Sequence, residues 1–306
     1  MTGSISSVIA IDAGGTEIKA AHILGSTVLD EKMWATKREL GPDHSVQRIL
    51  EAAVEMHNLF PEARAIGLVV PGVVDTERGI ARYSENLLWR DVPFSKKIGE
   101  LTGLPVSFGH DVRAGGLSEA MYGAARGYKN SFFMPIGTGI AGAIIVNGEL
   151  FDDPFSGEIG HLNVDSGIDC ACGVTGCLES IATAPSIAKR YSHLSGNQVS
   201  NSREVLDRAK RGDVCAKEVW LDAMNAIGRA AAAYVTIMAP EIFVFGGGVS
   251  NAGEDLLEPI RQYLDKWLTF QKRPALAIAK LGDRAGMIGA GILASNALEL
   301  IDSKQI

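Results

Sequence analysis

Two stretches, Gly157-Glu158-Ile159-Gly160-His161 and Cys170-Ala171-Cys172-Gly173-Val174-Thr175-Gly176-Cys177-Leu178-Glu179, place three thiols, one imidazole and two carboxylates within 23 residues, while the rest of the chain holds one further cysteine, Cys215. Thiolates with a neutral imidazole are the donor set of tetrahedral zinc. Gly173 and Gly176 let the backbone fold back between the ligands, so His161, Cys170, Cys172 and Cys177 read as a Cys3His knuckle. The alternative is a cluster of small packed residues that binds nothing. Four protein ligands close the coordination sphere and leave no position for an activated water, so the metal is expected to organise the protein and the chemistry to lie elsewhere.

Three glycine-rich stretches offer that elsewhere. Asp12-Ala13-Gly14-Gly15-Thr16 and Gly137-Thr138-Gly139-Ile140-Ala141-Gly142 each follow a short apolar run with small residues and a Thr hydroxyl. Such a turn lets a phosphate approach backbone N–H groups. Either alone is as consistent with an ordinary turn. Together, in corresponding positions of two similar halves, they suit the gripping of a polyphosphate from both sides. Gly246-Gly247-Gly248 adds a flat surface for a nucleoside ring, or else a strand-to-helix connection that needs positive φ.

The elements that would position these residues are legible in the hydrophobic pattern. Val8 to Ile11 reads as a strand, Ile18 to Leu24 as its hairpin partner, Val46 to Phe60 as a helix, and Ala65 to Val70 as a buried strand stopped by Pro71-Gly72. Pro105 to Gly109 is a short strand delivering His110 and Asp111, followed by a helix from Ala114 to Tyr122. The same order begins again at Ser131, with a strand to Ile136, a glycine turn, and Ala143 to Val146 before Asn147-Gly148. Helices follow at Ala184 to Tyr191, Ser202 to Arg211 and Val214 to Met238. A strand at Glu241 to Phe245, a helix near Glu254 to Leu268, a strand near Ala275 to Lys280 and a last helix from about Gly286 to Leu300 complete the chain. Two α/β halves, each opening on a glycine hairpin, imply a cleft between them.

Composition narrows the partners. With a net charge of -7 and no Lys/Arg cluster, the chain has no basic face for nucleic acid. Apolar runs are strand-length and broken by Gly or Pro, and Met1 to Ser7 has neither a basic nor an apolar leader segment, so no membrane partner is expected. Four cysteines, three in one metal-like cluster, form no disulfide framework and point to a reducing, cytoplasmic setting.

In order and spacing these motifs resemble the ROK family (repressors, open reading frames and kinases) over nearly the whole chain. The resemblance is carried by Glu158-x-x-His161 with Cys170-x-Cys172-Gly173-x-x-Gly176-Cys177-x-Glu179, by Asp12-Ala13-Gly14-Gly15-Thr16 and by Gly137-Thr138-Gly139. It implies an α/β fold of the actin/hexokinase-like (ribonuclease H-like) two-domain ATPase type with an interdomain cleft. One lobe would comprise 1–112 with about 288–306, and a larger lobe 113–287 would carry the knuckle. The implied activity is transfer of the γ-phosphate of ATP, with Mg2+, to the C6 hydroxyl of glucose or a related amino or N-acetyl hexose such as N-acetylmannosamine. Asp111 matches the family's catalytic base, with helix capping as its plainer role. Gly72, Asn86, His110, Glu158, His161 and Glu179 match positions around the sugar. Asp12, Gly14, Gly15, Thr16, Gly137, Thr138, Gly139, Gly246, Gly247 and Gly248 fall to the nucleotide, Asp12 holding Mg2+ through water. Homodimers or higher homo-oligomers are usual in such a family.

The chain departs from the family where Asn-Asp is usually followed by Ala-Asn; here His110-Asp111-Val112-Arg113 stands instead. Arg113 would either point inward and depress the pKa of Asp111 or lie solvated on its helix. Glu17 also replaces a residue that is often basic or an amide. Sugar-responsive repressors of the family carry a winged-helix domain ahead of the first glycine motif, for which Asp12 leaves no room. A non-catalytic sugar sensor is the remaining alternative.

Overall fold

In the computed structural model, which describes residues 6–85 and 87–303, the chain divides into two compact units. The first runs to Ser118 and takes back Asp152–Phe155 and the chain from Asp283 onward, and the second comprises Glu119–Phe151 and Ser156–Gly282.

The first unit contains, in chain order, β1 (Ser7–Ala13), β2 (Glu17–Leu24), β3 (Thr27–Ala35), α1 (Pro42–Leu59), β4 (Ile66–Val70), β5 (Val73–Asp75), β6 (Ile80–Tyr83), β7 (Arg90–Val92), α2 (Phe94–Thr102), β8 (Val106–His110) and the start of α3 (Asp111–Met121). Its main sheet has the order β3-β2-β1-β4-β8, with β1, β2 and β3 antiparallel and β1, β4 and β8 parallel. Strand β1 is buried on both faces, and its side chains divide by the period of two. Ile9, Ile11 and Ala13 join the core that includes residues of α1 and α2, while Val8 and Ala10 join Met287, Ala290 and Ala294 of the last helix. By that alternation Asp12 falls on the side of the last helix. Strands β5, β6 and β7 form a separate three-stranded sheet.

The second unit repeats the plan. It contains β9 (Ser131–Pro135), β10 (Ala143–Val146), β11 (Glu149–Leu150), α4 (Glu179–Ala182), α5 (Ala184–Ser195), α6 (Ser202–Lys210), α7 (Val214–Met238), β12 (Ile242–Gly246), α8 (Glu254–Trp267) and β13 (Ala275–Ile278). The last helix, α9 (Ala285–Ser303), returns to the first unit. The second sheet is ordered β11-β10-β9-β12-β13, an antiparallel hairpin followed by parallel β12 and β13, as in the first sheet. Its core joins Phe132, Met134, Phe243 and Phe245 of the strands to Trp220, Met224 and Ile227 of α7. Capping fixes the helices around the site: Thr183 accepts the N–H of Ser186 at the start of α5, and Asp213 accepts that of Ala216 at the start of α7. Among the described residues no helix is long and apolar enough to cross a membrane.

Candidate functional site

In the first unit the turn after β1 closes through the N–H of Gly14, which donates to the Glu17 carbonyl at 2.9 Å, and through Thr36, whose hydroxyl donates to the Gly14 carbonyl at 2.7 Å. The Gly14 N–H is therefore spent on the turn itself. Gly15 is half-buried and Thr16 exposed, so the rim of the turn faces solvent. Asp12, just below, packs against the first turn of α9. A Cβ on Gly286 would lie 2.3 Å from Asp12 Oδ2, so the helix N-terminus meets the carboxylate only because residue 286 has no side chain. Burial raises the Asp12 pKa from 3.8 to about 7, the negative charge of Asp111 adds to this, Lys19 opposes it, and Asp283 raises it further. Lys19 Nζ is itself held by Asp283, at 3.1 Å from its carboxylate and 3.2 Å from its carbonyl. Gly286, Lys19 and Asp283 were not singled out by sequence, since their significance depends on where α9 packs.

A carboxyl that keeps its proton to about pH 7 when folded, but loses it near 3.8 when unfolded, favours the native state fully below the lower value and progressively less as pH rises to the upper one. Asp12→Asn cannot ionise. At about 1.4 kcal/mol per pKa unit, the variant is expected to gain about 2–4 kcal/mol over the wild type between pH 4 and pH 8. Urea unfolding of both proteins across that range checks this, and a difference that does not change with pH would refute it.

Asp111 opens α3 directly from the end of β8. Its Oδ1 accepts the Val112 N–H at 2.7 Å, and the same N–H approaches His110 Nδ1 at 3.2 Å. His110 is buried and its Nδ1 lies 3.3 Å from Asp111 Oδ1. Gly72 adopts φ 100° after Pro71, and a Cβ there would lie 2.2 Å from the Tyr83 carbonyl oxygen. Asn86 lies outside the described residues. Arg113 is not solvated on its helix, as one expectation had it. Its guanidinium is buried, as in the inward case, but Nε donates to Asp152 Oδ1 at 2.6 Å, so its charge is partnered there rather than solvated.

In the second unit the remaining predicted residues come together. The Ile140 N–H donates to Glu179 Oε1 at 2.6 Å, so the carboxylate at the start of α4 holds the Gly137–Gly139 turn. The Gly142 N–H donates to the Gly157 carbonyl at 2.7 Å. Gly157 has φ 82°, and a Cβ there would sit 2.0 Å from the Gly142 oxygen; one on Gly160 would sit 2.2 Å from the Ile140 oxygen and 2.7 Å from Glu179 Cγ. The two glycines thus let the Glu158–His161 segment lie directly on the Gly137–Gly142 turn, with Glu158, His161, Thr138 and Gly139 exposed. Tyr234 of α7, missed by sequence, has its phenol pKa raised by burial and by the charge of Glu158. Gly247 has φ 72°, and a Cβ would lie 2.5 Å from the Ile136 oxygen. Gly248 has open space on that side and is exposed. A cavity of about 740 Å³ is lined by Thr138, Cys170, Glu179, Thr183, Ser186 and Lys189, among others.

His161, Cys170, Cys172 and Cys177 bring one donor atom each within 4.8 Å of one another. Cys172 Sγ lies 3.6 Å from Cys177 Sγ, and Cys170 Sγ lies 3.9 Å from His161 Nδ1. Ligands about 2.3 Å from a tetrahedral ion stand about 3.8 Å apart, so both donor type and spacing fit zinc. The Nδ1 of His161 faces the cluster. The Cys172 thiol is lowered to about 7, first by the Val174 N–H and then by Cys170, whereas Cys177 is pushed up to about 12 by burial and then by the neighbouring thiols. Three sulfurs this close share poorly the charge that a cation would neutralise.

Two units on one strand plan, each with a glycine turn after its first strand, define the actin/hexokinase-like fold. The sequence matches the ROK family over residues 8–297, and the chain belongs to that family. It is 34% identical to a glucokinase of Halalkalibacterium halodurans, over 93% of this chain and 94% of that one. Its fold is similar to that of the ROK hexokinase from Thermus thermophilus, with a TM-score of 0.82 and 32% identity over 97% and 99% of the two chains. It is similar also to a ROK family glucokinase from Streptomyces griseus in complex with glucose and AMPPNP, with a TM-score of 0.79 and 27% identity over 95% and 100%.

Proposed function

We propose that this protein is an ATP-dependent hexose kinase of the reducing cytoplasm, transferring the γ-phosphate of ATP to the C6 hydroxyl of glucose or a related amino or N-acetyl hexose, with Asp111 as general base. The observation that carries the reading is the placement of Asp111 at the end of β8, within electrostatic reach of Asp12 below the first glycine turn. Phosphoryl transfer needs an aligned hydroxyl, a proton acceptor and compensation of phosphate charge. One Asp111 oxygen is occupied by the Val112 N–H, which fixes the carboxylate, and the other takes the hydroxyl proton as the O6–P bond forms and the bond from phosphorus to the bridging oxygen of ADP breaks. Mg2+, when bound, neutralises the phosphates, and Asp12, whose ionisation is held back by burial and by Asp111, is the carboxylate suited to a hydrated cation there.

Glu158, His161 and Glu179 would hold the sugar hydroxyls. With Nδ1 turned to the thiols, His161 keeps Nε2 for the sugar, and zinc on His161, Cys170, Cys172 and Cys177 would fix that tautomer and ring orientation. Gly15 and Thr16 in the first unit, and Thr138, Gly139 and Gly248 in the second, would receive the phosphates and nucleoside.

Purified protein with ATP and Mg2+ is expected to release ADP with at least one of glucose, mannose, glucosamine, N-acetylglucosamine and N-acetylmannosamine. The ranking of kcat/KM then identifies the preferred substituent at C2. Tight sugar binding with no ADP release from any of the five would replace this reading with that of a sugar sensor.

A further inference from the structure

Arg113 is the buried cation that the transfer chemistry leaves unused. It lies two residues after Asp111 on α3 and is 2% exposed. A guanidinium in such a place needs a partner and full hydrogen bonding, yet only Nε reaches Asp152, at 2.6 Å, and Nη2 is buried with no partner among the described residues. Asp152 begins a short excursion: Asp152–Phe155 packs with the first unit, although Phe151 before it and Ser156 after it belong to the second. The base of the excursion is closed by Ser156 Oγ, which donates to the Phe151 carbonyl at 3.2 Å, and Phe155 is 72% exposed, so apolar burial does little to hold it. Gly157 and Glu158 follow at once.

We propose that the Arg113–Asp152 pair is a positioning device for the acceptor sugar: it pins the Asp152–Phe155 excursion to the unit that carries Asp111, and the pinned excursion fixes the conformation in which Ser156–Glu158 leaves it. The proposal rests on the hexose-kinase reading. The departure at Arg113 then has a local explanation, since Asp152 is its partner.

Asp152→Asn, Arg113→Met and the double variant test this through hexose and ATP kinetics and through hydrogen exchange of residues 150–160. Hexose KM is expected to rise about tenfold or more while ATP KM stays within about twofold, and kcat is expected to change less than hexose KM. The double variant is expected to be no worse than the more affected single one, because both changes remove the same device. Exchange across the stretch should quicken in all three. A hexose KM within twofold of the wild type in folded Asp152→Asn, equal rises for hexose and ATP, or a lowered melting temperature with unchanged hexose KM would each overturn the proposal. Should Arg113→Met fail to fold, the double variant, which leaves no buried charge unpaired, gives the same readouts. A wild-type protein that phosphorylates no hexose would remove the kinase reading instead; unchanged exchange of the stretch in Asp152→Asn would still refute the pinning.

Discussion

Replacing Asp111 by Asn is expected to lower kcat about a thousandfold or more while hexose KM stays within about threefold. Asn is the discriminating substitution because Asp111 accepts a backbone hydrogen bond and is also the proposed base. Its Oδ1 accepts the Val112 N–H at the head of α3. An Asn oxygen accepts the same bond, so α3 begins as before and the melting temperature should move by no more than a few degrees. What Asn cannot do is take a proton from the sugar hydroxyl. Asp111→Ala loses both functions and so confounds them. Steady-state kinetics with the best hexose, run beside thermal unfolding, separate the cases. Retention of more than a tenth of wild-type kcat by Asp111→Asn would mean that Asp111 is a helix cap and that another group takes the proton. Asp12→Asn provides the contrast: it lies below the first glycine turn, and it is expected to make the protein more stable at neutral pH.

The parts of this architecture that sequence made legible are those whose signal is local. Strand β1 reads from Val8 to Ile11 because both of its faces are buried, and α7 reads to the residue because its apolar positions recur over seven turns. The repetition of strand, glycine turn and strand in the two halves is likewise visible in the chain and returns as two sheets of the same order. Strand β3 gave no signal, since it is an edge strand with mostly exposed and often charged side chains. The small sheet of β5, β6 and β7 is built from strands of three or four residues, too short for alternation to register. At the site, residue types and spacing grouped His161 with the three thiols, whereas the bond from the Ile140 N–H to Glu179 that ties the second glycine turn to α4 shows only in the structure. Partners distant in sequence stayed hidden. Nothing near Arg113 in the chain announces Asp152, and Gly286 reads as a residue of an apolar helix until α9 is seen to press on Asp12.

Loss of the metal should separate sugar affinity from global stability. The segment from Leu162 to Thr175 buries one apolar side chain, Val164, and keeps most of its others exposed, so it has almost no core of its own. Its internal order rests on isolated pairings of Asn163 with Cys177 and of Asp169 with Thr175, and on turns such as the Gly173 N–H to the Cys170 carbonyl at 3.0 Å. A four-ligand ion would therefore supply most of its cross-linking. Protein prepared without chelator is expected to hold about one zinc per chain, and Cys172→Ala is expected to lose it. With the thiol set broken, the exposed His161 ring loses the contact that aims it, and hexose KM should rise about tenfold or more, with ATP KM much less affected. Of the segment only Val164 belongs to the core around Phe132, Phe243 and α7, with Leu162 and Ile168 packed against it, so the main melting transition should fall only modestly. Metal analysis, kinetics and calorimetry on the same preparation test the three statements together, and stripping the wild type with a chelator should reproduce the variant. Metal uptake should also release protons, because Cys177 holds its proton to about 12 in the metal-free protein. A zinc-free protein with unchanged hexose KM would show the cluster to be irrelevant to the sugar, and His161 would then have to be oriented by the polypeptide alone.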